Sequence, residues 1–90
     1  MDNQTREAFL ILQEECSEVI QATSKCFRFG IDGEYNDQTN RVRLEQELGD
    51  VLAMIDILEE HGVISRQSLV EAKARKFKKL EQWSNLVVPQ

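Results

Sequence analysis

The chain has 90 residues, of which 30% are charged and 7% aromatic, and carries a net charge of −5. That length and balance fit one small helical domain rather than a disordered chain. The charge is split: residues 1–64 hold 14 acids and 5 bases (−9), while residues 65–90 hold 6 bases and 2 acids (+4). An acidic body argues against nucleic acid as a partner, because duplex binding needs a net basic face. No apolar run approaches the roughly 18–20 residues of a membrane helix, and Met1-Asp-Asn-Gln-Thr5 has no signal-peptide character. No membrane partner and a cytoplasmic location are the expectation.

From about Thr5 to Phe29 there is neither Pro nor Gly, and Leu12, Cys16, Val19, Thr23 and Cys26 recur at helical spacing as an apolar seam. Gly30 ends this first helix. Cys16 and Cys26 would stand roughly 15 Å apart along its axis, too far for a disulfide; they read as small buried hydrophobes. Residues 31–40 form a polar loop without strand character. An EF-hand starting at Asp32 fails there, since Asp37 stands where glycine is needed and Arg43 where glutamate is.

A second helix is expected from about Arg41 to His61, with Asn40 as N-cap and Leu44, Leu48, Val51, Ile55 and Leu58 as its seam. Gly62 stops it, and Val63-Ile64 fold back on its last turn. A third helix starts between Ser65 and Ser68, where Ser68-Leu69-Val70-Glu71 has capping-box form, and runs to about Trp83. Its core residues are Leu69, Val70, Phe77 and Leu80. The apolar tail 84–90 is left undecided. The expected fold is all-α: one domain, core about 8–83, an antiparallel bundle of about three main helices completed by oligomerisation.

The chemistry concentrates in two acidic pairs, Glu15-Cys16-Ser17-Glu18 and Glu47-Leu48-Gly49-Asp50. Helical residues three apart share a face, their Cβ atoms about 5–6 Å apart. Each pair can therefore aim two carboxylates at one point. If the two helices pack side by side, all four converge, and such a cluster must share protons or hold a cation. The only histidine, His61, has Leu58 three residues before it, so a Glu-x-x-His di-iron site is disfavoured, as is zinc. All-oxygen ligation by Glu15, Glu18, Glu47 and Asp50 leaves Mg2+, or alternatively Mn2+. Gly49, between Glu47 and Asp50, suggests that a helix or ligand approaches closely there. Lys25 with Arg28, and Lys73 with Lys76, are three apart and are the candidate phosphate contacts. Met54, Phe77 and Trp83 offer apolar surface for a base.

With these residues assembled, the chain resembles the MazG-type, all-α nucleoside triphosphate pyrophosphohydrolases. Leu12-Gln-Glu-Glu15-Cys-Ser-Glu18-Val-Ile is similar to the family's E-E-x-x-E helix, and Glu47-Leu-Gly-Asp50-Val-Leu to its E-L-x-D helix. The stretch from Val19 to Gly30, with Asn40 and the second motif, is similar to small single-domain members common in bacteriophages, which would put the protein in the host cytoplasm. The resemblance implies hydrolysis of a (deoxy)nucleoside triphosphate to monophosphate and pyrophosphate by attack of metal-activated water at the α-phosphate. It implies magnesium on Glu15, Glu18, Glu47 and Asp50, and Glu15 orienting the water. It further implies phosphate contacts from Lys25, Arg28, Lys73 and Lys76, and a homodimer or tetramer. Some relatives carry an aromatic base contact four residues after the motif aspartate; Met54 stands there. Two alternatives stay open: a related enzyme acting on phosphoribosyl-ATP or a signalling nucleotide, and a non-catalytic helical module that binds a partner.

Overall fold

The computed structural model describes residues 1–89; Gln90, the last residue of the tail, lies outside the described residues. The first helix, α1, spans Asn3–Phe29. Asp2 caps it by accepting the Thr5 N–H at 2.7 Å, and that bond holds the Asp2 carboxyl below its ordinary value. Gly30, at φ 87°, ends it with its N–H on the Cys26 carbonyl. The second helix, α2, spans Asn40–Glu60, and the third, α3, spans Arg66–Trp83. The chain is all-α apart from one miniature ribbon.

That ribbon corrects the expectation of a strandless loop. Strand β1 (Glu34–Tyr35) pairs antiparallel with β2 (Gln38–Thr39), Glu34 opposite Thr39 and Tyr35 opposite Gln38. Asn36 and Asp37 join them at φ 53° and 64°. Two successive left-handed residues make the turn whose twist matches a two-residue hairpin, and Asn and Asp tolerate that conformation best after glycine. Asn40 is not the N-cap of α2. Thr39 caps it through the Val42 N–H at 3.2 Å. Asn40 instead is buried at 4% exposure, its Nδ2 donating to the Gly30 carbonyl at 2.9 Å and its N–H to that of Gly33 at 3.0 Å. One amide side chain thus ties the loop to the start of α2.

The α2 terminus is a Schellman motif. Val63 N–H bonds the Leu58 carbonyl and Gly62 N–H that of Glu59, with Gly62 at φ 73°. Ile64 then folds back onto the core as expected. At α3, Ser65 is the cap, its hydroxyl accepting the Ser68 N–H at 3.1 Å. The capping box is therefore not formed by Ser68; Glu71 accepts from the Gln67 amide instead.

Ala8 near the start of α1 clusters with Met54 and Leu58 near the end of α2, so the two helices run antiparallel. Phe9, Ile11, Leu12 and Ile64 surround this small core. The helix faces differ from the expected seams. On α1, Ala8 and Ala22 are the buried apolar residues, whereas Cys16 and Thr23 are exposed. On α2, Leu48 is 45% exposed. No residue of α3 is buried, and Val70 is 57% exposed. The reason is geometric: the molecule measures 41 × 36 × 17 Å, little thicker than one helix with its side chains, about 10–12 Å. Side chains of a single layer have only lateral neighbours. Gly49 likewise has open space where a Cβ would project, so no close approach is seen there.

A Cβ at Gly33 would collide with the backbone carbonyl of Phe29, which cannot give way. Gly33→Ala is expected to destabilise the fold by about 1–3 kcal/mol. Thermal melting at fixed protein concentration should show Tm falling by about 4–8 °C per kcal/mol.

Candidate metal centre

The α1–α2 seam has two halves. Toward one end, Thr5, Ala8 and Ile11 meet Met54, Leu58 and His61, with Thr5 Oγ1 lying 3.4 Å from His61 Nδ1. Toward the other, the same helical rows present Glu15, Glu18, Ala22 and Lys25 on α1 and Asp50, Glu47, Arg43 and Asn40 on α2. Spacings of three and four keep each row on one face. The small side chain of Ala22 keeps the rows close.

The four carboxylates do converge. One oxygen from each of Glu15, Glu18, Glu47 and Asp50 lies within 4.8 Å of the others. Glu15, Glu18 and Glu47 are half-buried and Asp50 is exposed. Glu15 Oε2 and Glu47 Oε2 are shielded from solvent without a hydrogen-bond donor, the condition a buried carboxylate oxygen avoids unless a cation or proton satisfies it. Desolvation, followed by the charges of Glu18 and Asp50, pushes Glu15 above its ordinary value. Glu47 is pushed up first by the facing Glu18 carboxyl, then by desolvation and the neighbouring charges. Among the described residues no lysine or arginine forms an ion pair with any of the four. A divalent ion held by oxygens is the charge that would balance them.

Next to the quartet lies a polar cleft of about 210 Å³ lined by Glu18, Gln21, Ala22, Lys25, Arg43 and Glu47. Beyond it, a cleft of about 500 Å³ is lined by Lys25, Phe29, Gly33, Glu34, Tyr35, Asn40 and Arg43. Lys25 and Arg43 belong to both. Of the candidate phosphate contacts, Lys25 therefore stands beside the quartet. Arg28 stacks its guanidinium over the Phe29 ring at 4.9 Å. Lys73 and Lys76 are exposed on α3, Lys73 lying 5.9 Å from the Phe77 ring centroid. Met54 is in the core at 6% exposure and Trp83 is 83% exposed. In the sequence Arg43 figures only as a failed calcium-ligand position. Its spacing of four before Glu47 was the available signal; Tyr35 had none, because the ribbon that carries it was unforeseen.

The stability contributed by the raised Glu15 and Glu47 is complete below their ordinary value of 4.5 and is lost as pH rises through their raised values. Asp2 and Asp32 titrate below their ordinary 3.8, so their contribution is present above that value and lost as pH falls through the lowered ones. In EDTA the melting temperature should therefore peak between those limits and decline toward neutral pH. Glu47→Gln should flatten that decline. A melting temperature that climbs steadily from pH 5 to pH 8 would contradict the clustering.

The model of the MazG nucleotide pyrophosphohydrolase domain family matches residues 4–83 of the chain. Comparison with curated proteins and with solved structures gives no significant match. The matched span contains both acidic pairs, α1 from Gln4 onward, and all of α2 and α3. With the motif helices, the converged carboxylates and the family match in agreement, the chain belongs to the MazG nucleotide pyrophosphohydrolase family.

Proposed function

We propose that the protein hydrolyses a nucleoside triphosphate, ribo or deoxy, to the monophosphate and pyrophosphate in the cytoplasm, with Mg2+ (or Mn2+) held by Glu15, Glu18, Glu47 and Asp50. The observation that carries this reading is the convergence of four carboxylates within 4.8 Å, two of them with shielded oxygens that lack a donor. Their all-oxygen chemistry fits a hard divalent ion. When bound, that ion supplies Lewis-acid neutralisation of the phosphates and eases ionisation of water at neutral pH.

The chain's own residues do the rest. Glu15, its Oε2 shielded and without a donor, orients the attacking water and accepts its proton. The water oxygen bonds to the α-phosphorus, the bond to the α,β-bridging oxygen breaks, and pyrophosphate leaves with that electron pair. Glu18 and Glu47, half-buried beside Glu15, would complete the oxygen set that holds the ion. Lys25 faces the phosphates directly, and Arg28, one turn on, adds positive charge near them.

The enzyme acts as a homo-oligomer. The chain exposes 7389 Å², whereas a compact monomer of this mass, 10.4 kDa, would expose about 5,400 Å². Its radius of gyration is 15.7 Å, against about 12 Å for a compact chain of its length. The excess area is of the size that obligate interfaces bury. The missing layer belongs on the apolar groove of about 530 Å³ where Cys26, Phe27, Ile31, Leu44 and Leu48 meet. There the two apolar seams foreseen in the sequence lie side by side.

Incubation with a panel of ribo- and deoxynucleoside triphosphates and Mg2+ should release pyrophosphate and monophosphate; orthophosphate alone would exclude attack at the α-position. Glu15→Gln and Asp50→Asn should each lower turnover by at least about a hundredfold, the scale of losing a positioned base or charge partner. Mg2+ should raise Tm of the wild type and raise it less in either variant. For the assembly, Leu48→Glu should shift the species seen in sedimentation toward the monomer. An unchanged mass at micromolar concentration would remove the groove from the interface.

A further inference from the structure

Resting on the pyrophosphohydrolase reading, we propose that the cleft at the ribbon end of the α1–α2 groove binds the nucleoside 5′-phosphate moiety, with Phe29 and Tyr35 stacking the base and Arg43 and Lys25 holding the phosphate next to it.

The order of groups along the groove carries the proposal. From Glu18 to Lys25 to Phe29 the chain climbs one face of α1, and from Glu47 to Arg43 to Asn40 it descends the facing side of α2 into the ribbon. Carboxylates, cations and aromatic rings thus follow one another in two adjoining clefts that share Lys25 and Arg43. Eleven residues of helix separate Glu18 from Phe29, about 16 Å at 1.5 Å per residue. That is a span on the scale of a nucleotide stretched between a metal centre and a base platform. The outer cleft, about 500 Å³, lies within the size range of small-ligand sites, about 300–1,000 Å³.

Arg43 supplies a separate observation. It stands four residues before Glu47 on α2, the spacing at which helical ion pairs form, yet it makes none among the described residues. The ribbon restrains it instead. One terminal nitrogen reaches the Tyr35 carbonyl at 3.5 Å, and the guanidinium lies 5.6 Å from the Tyr35 ring centroid. Its Nε is shielded from solvent with no acceptor. A buried guanidinium N–H without a partner is costly unless an anion takes it, and Lys25 across the cleft is unpaired as well. Phe29 and Tyr35 are 61% and 65% exposed. The rings are solvated, as a stacking platform must be before its ligand arrives, and each has a guanidinium beside it. Stacking on such rings tolerates any base, because every base has a π-face.

The outer cleft holds both cations and both rings and none of the four carboxylates in its lining, so a nucleoside 5′-monophosphate should bind with no metal present. The test is calorimetric titration of the full-length protein with nucleoside 5′-monophosphates and with inorganic phosphate, in EDTA. Tyr35→Ala and Phe29→Ala should each weaken the monophosphates by about 5- to 150-fold, the loss of one base stack, and leave inorganic phosphate unchanged. Tyr35→Phe should retain wild-type affinity, and Arg43→Ala should weaken both ligands. Monophosphate affinity indifferent to Tyr35→Ala and Phe29→Ala, or no monophosphate binding at all, overturns the subsite. Asp50→Asn separates the two proposals: Asp50 belongs to the quartet but lines neither cleft, so the change should stop pyrophosphate release without touching monophosphate affinity. Pyrophosphate release together with a Tyr35→Ala variant of normal affinity would sink the subsite and spare the activity. Monophosphate binding of the expected pattern without pyrophosphate release would do the reverse.

Discussion

Four like charges facing one another across two packed helices are the constraint around which this fold is arranged. Two helices joined by a short ribbon bury apolar surface only along the line where they touch. In this chain half of that line is given to Glu15, Glu18, Glu47 and Asp50. What holds α1 against α2 is therefore the other half, where Ala8, Met54 and Leu58 form the core. Among the described residues no large side chain is completely shielded. A core so small offsets little repulsion, and protonation of the raised Glu15 and Glu47 is the means the isolated chain has to relieve it. Cluster and core are thus tied: the acids converge because the apolar end clamps the helices, and the clamp is weak because the acids occupy its continuation.

The same constraint accounts for the ribbon. At the far end of the groove Ala22 is the only buried apolar residue among the described residues. Closure there is polar and backbone-based: Asn40 on Gly30 and Gly33, Arg41 N–H on Ile31, and the Arg41–Asp32 pair at 3.0 Å. An exposed ion pair contributes little on its own, whereas buried Asn40 satisfies two backbone groups at once. The ribbon sets the spacing of the helices where α1 ends and α2 begins, and so fixes how wide the groove stands beside Lys25 and Arg43. Position there is set by loop geometry, not by a core.

Much of this was legible in the sequence, for a reason local to each element. Helix termini are encoded by single residues, so Gly30 and Gly62 were readable as stops, and Ser65 fell within the region expected to open α3. The quartet was readable because spacing of three on a helix determines a shared face without any tertiary knowledge. The seam was misassigned because periodicity reveals that a stripe is apolar, not what covers it. Of the α1 stripe Leu12 packs against the core, and of the α2 stripe Leu58 lies in it, but Cys16, Thr23 and Leu48 face outward. The ribbon escaped because Glu34-Tyr35-Asn36-Asp37-Gln38-Thr39 carries its signal in two backbone conformations, with strands too short for alternation to show. Arg43 escaped with it, since its place beside Tyr35 exists only once the ribbon does.

The flat shape connects these observations. A row of carboxylates can be tolerated inside a helix pair only if water or a cation reaches it, and a thicker bundle would seal it off. By keeping its three helices within a 17 Å layer, the chain leaves the acidic groove accessible, while the seams of α1 and α2 meet in a separate apolar groove. Polar chemistry and apolar surface are thereby sorted into different grooves of the same two helices. The sorting follows from registers offset by one residue: Glu15 and Glu18 lie beside Cys16 and Val19, and Glu47 beside Leu48. A displacement of one position on a helix is a rotation of about 100°, enough to turn a side chain out of one groove and into the other. That rotation, repeated on both helices, is what allows 90 residues to carry an ion-demanding cleft beside a mainly apolar groove in whose lining Arg41 and Glu45 are the charged residues.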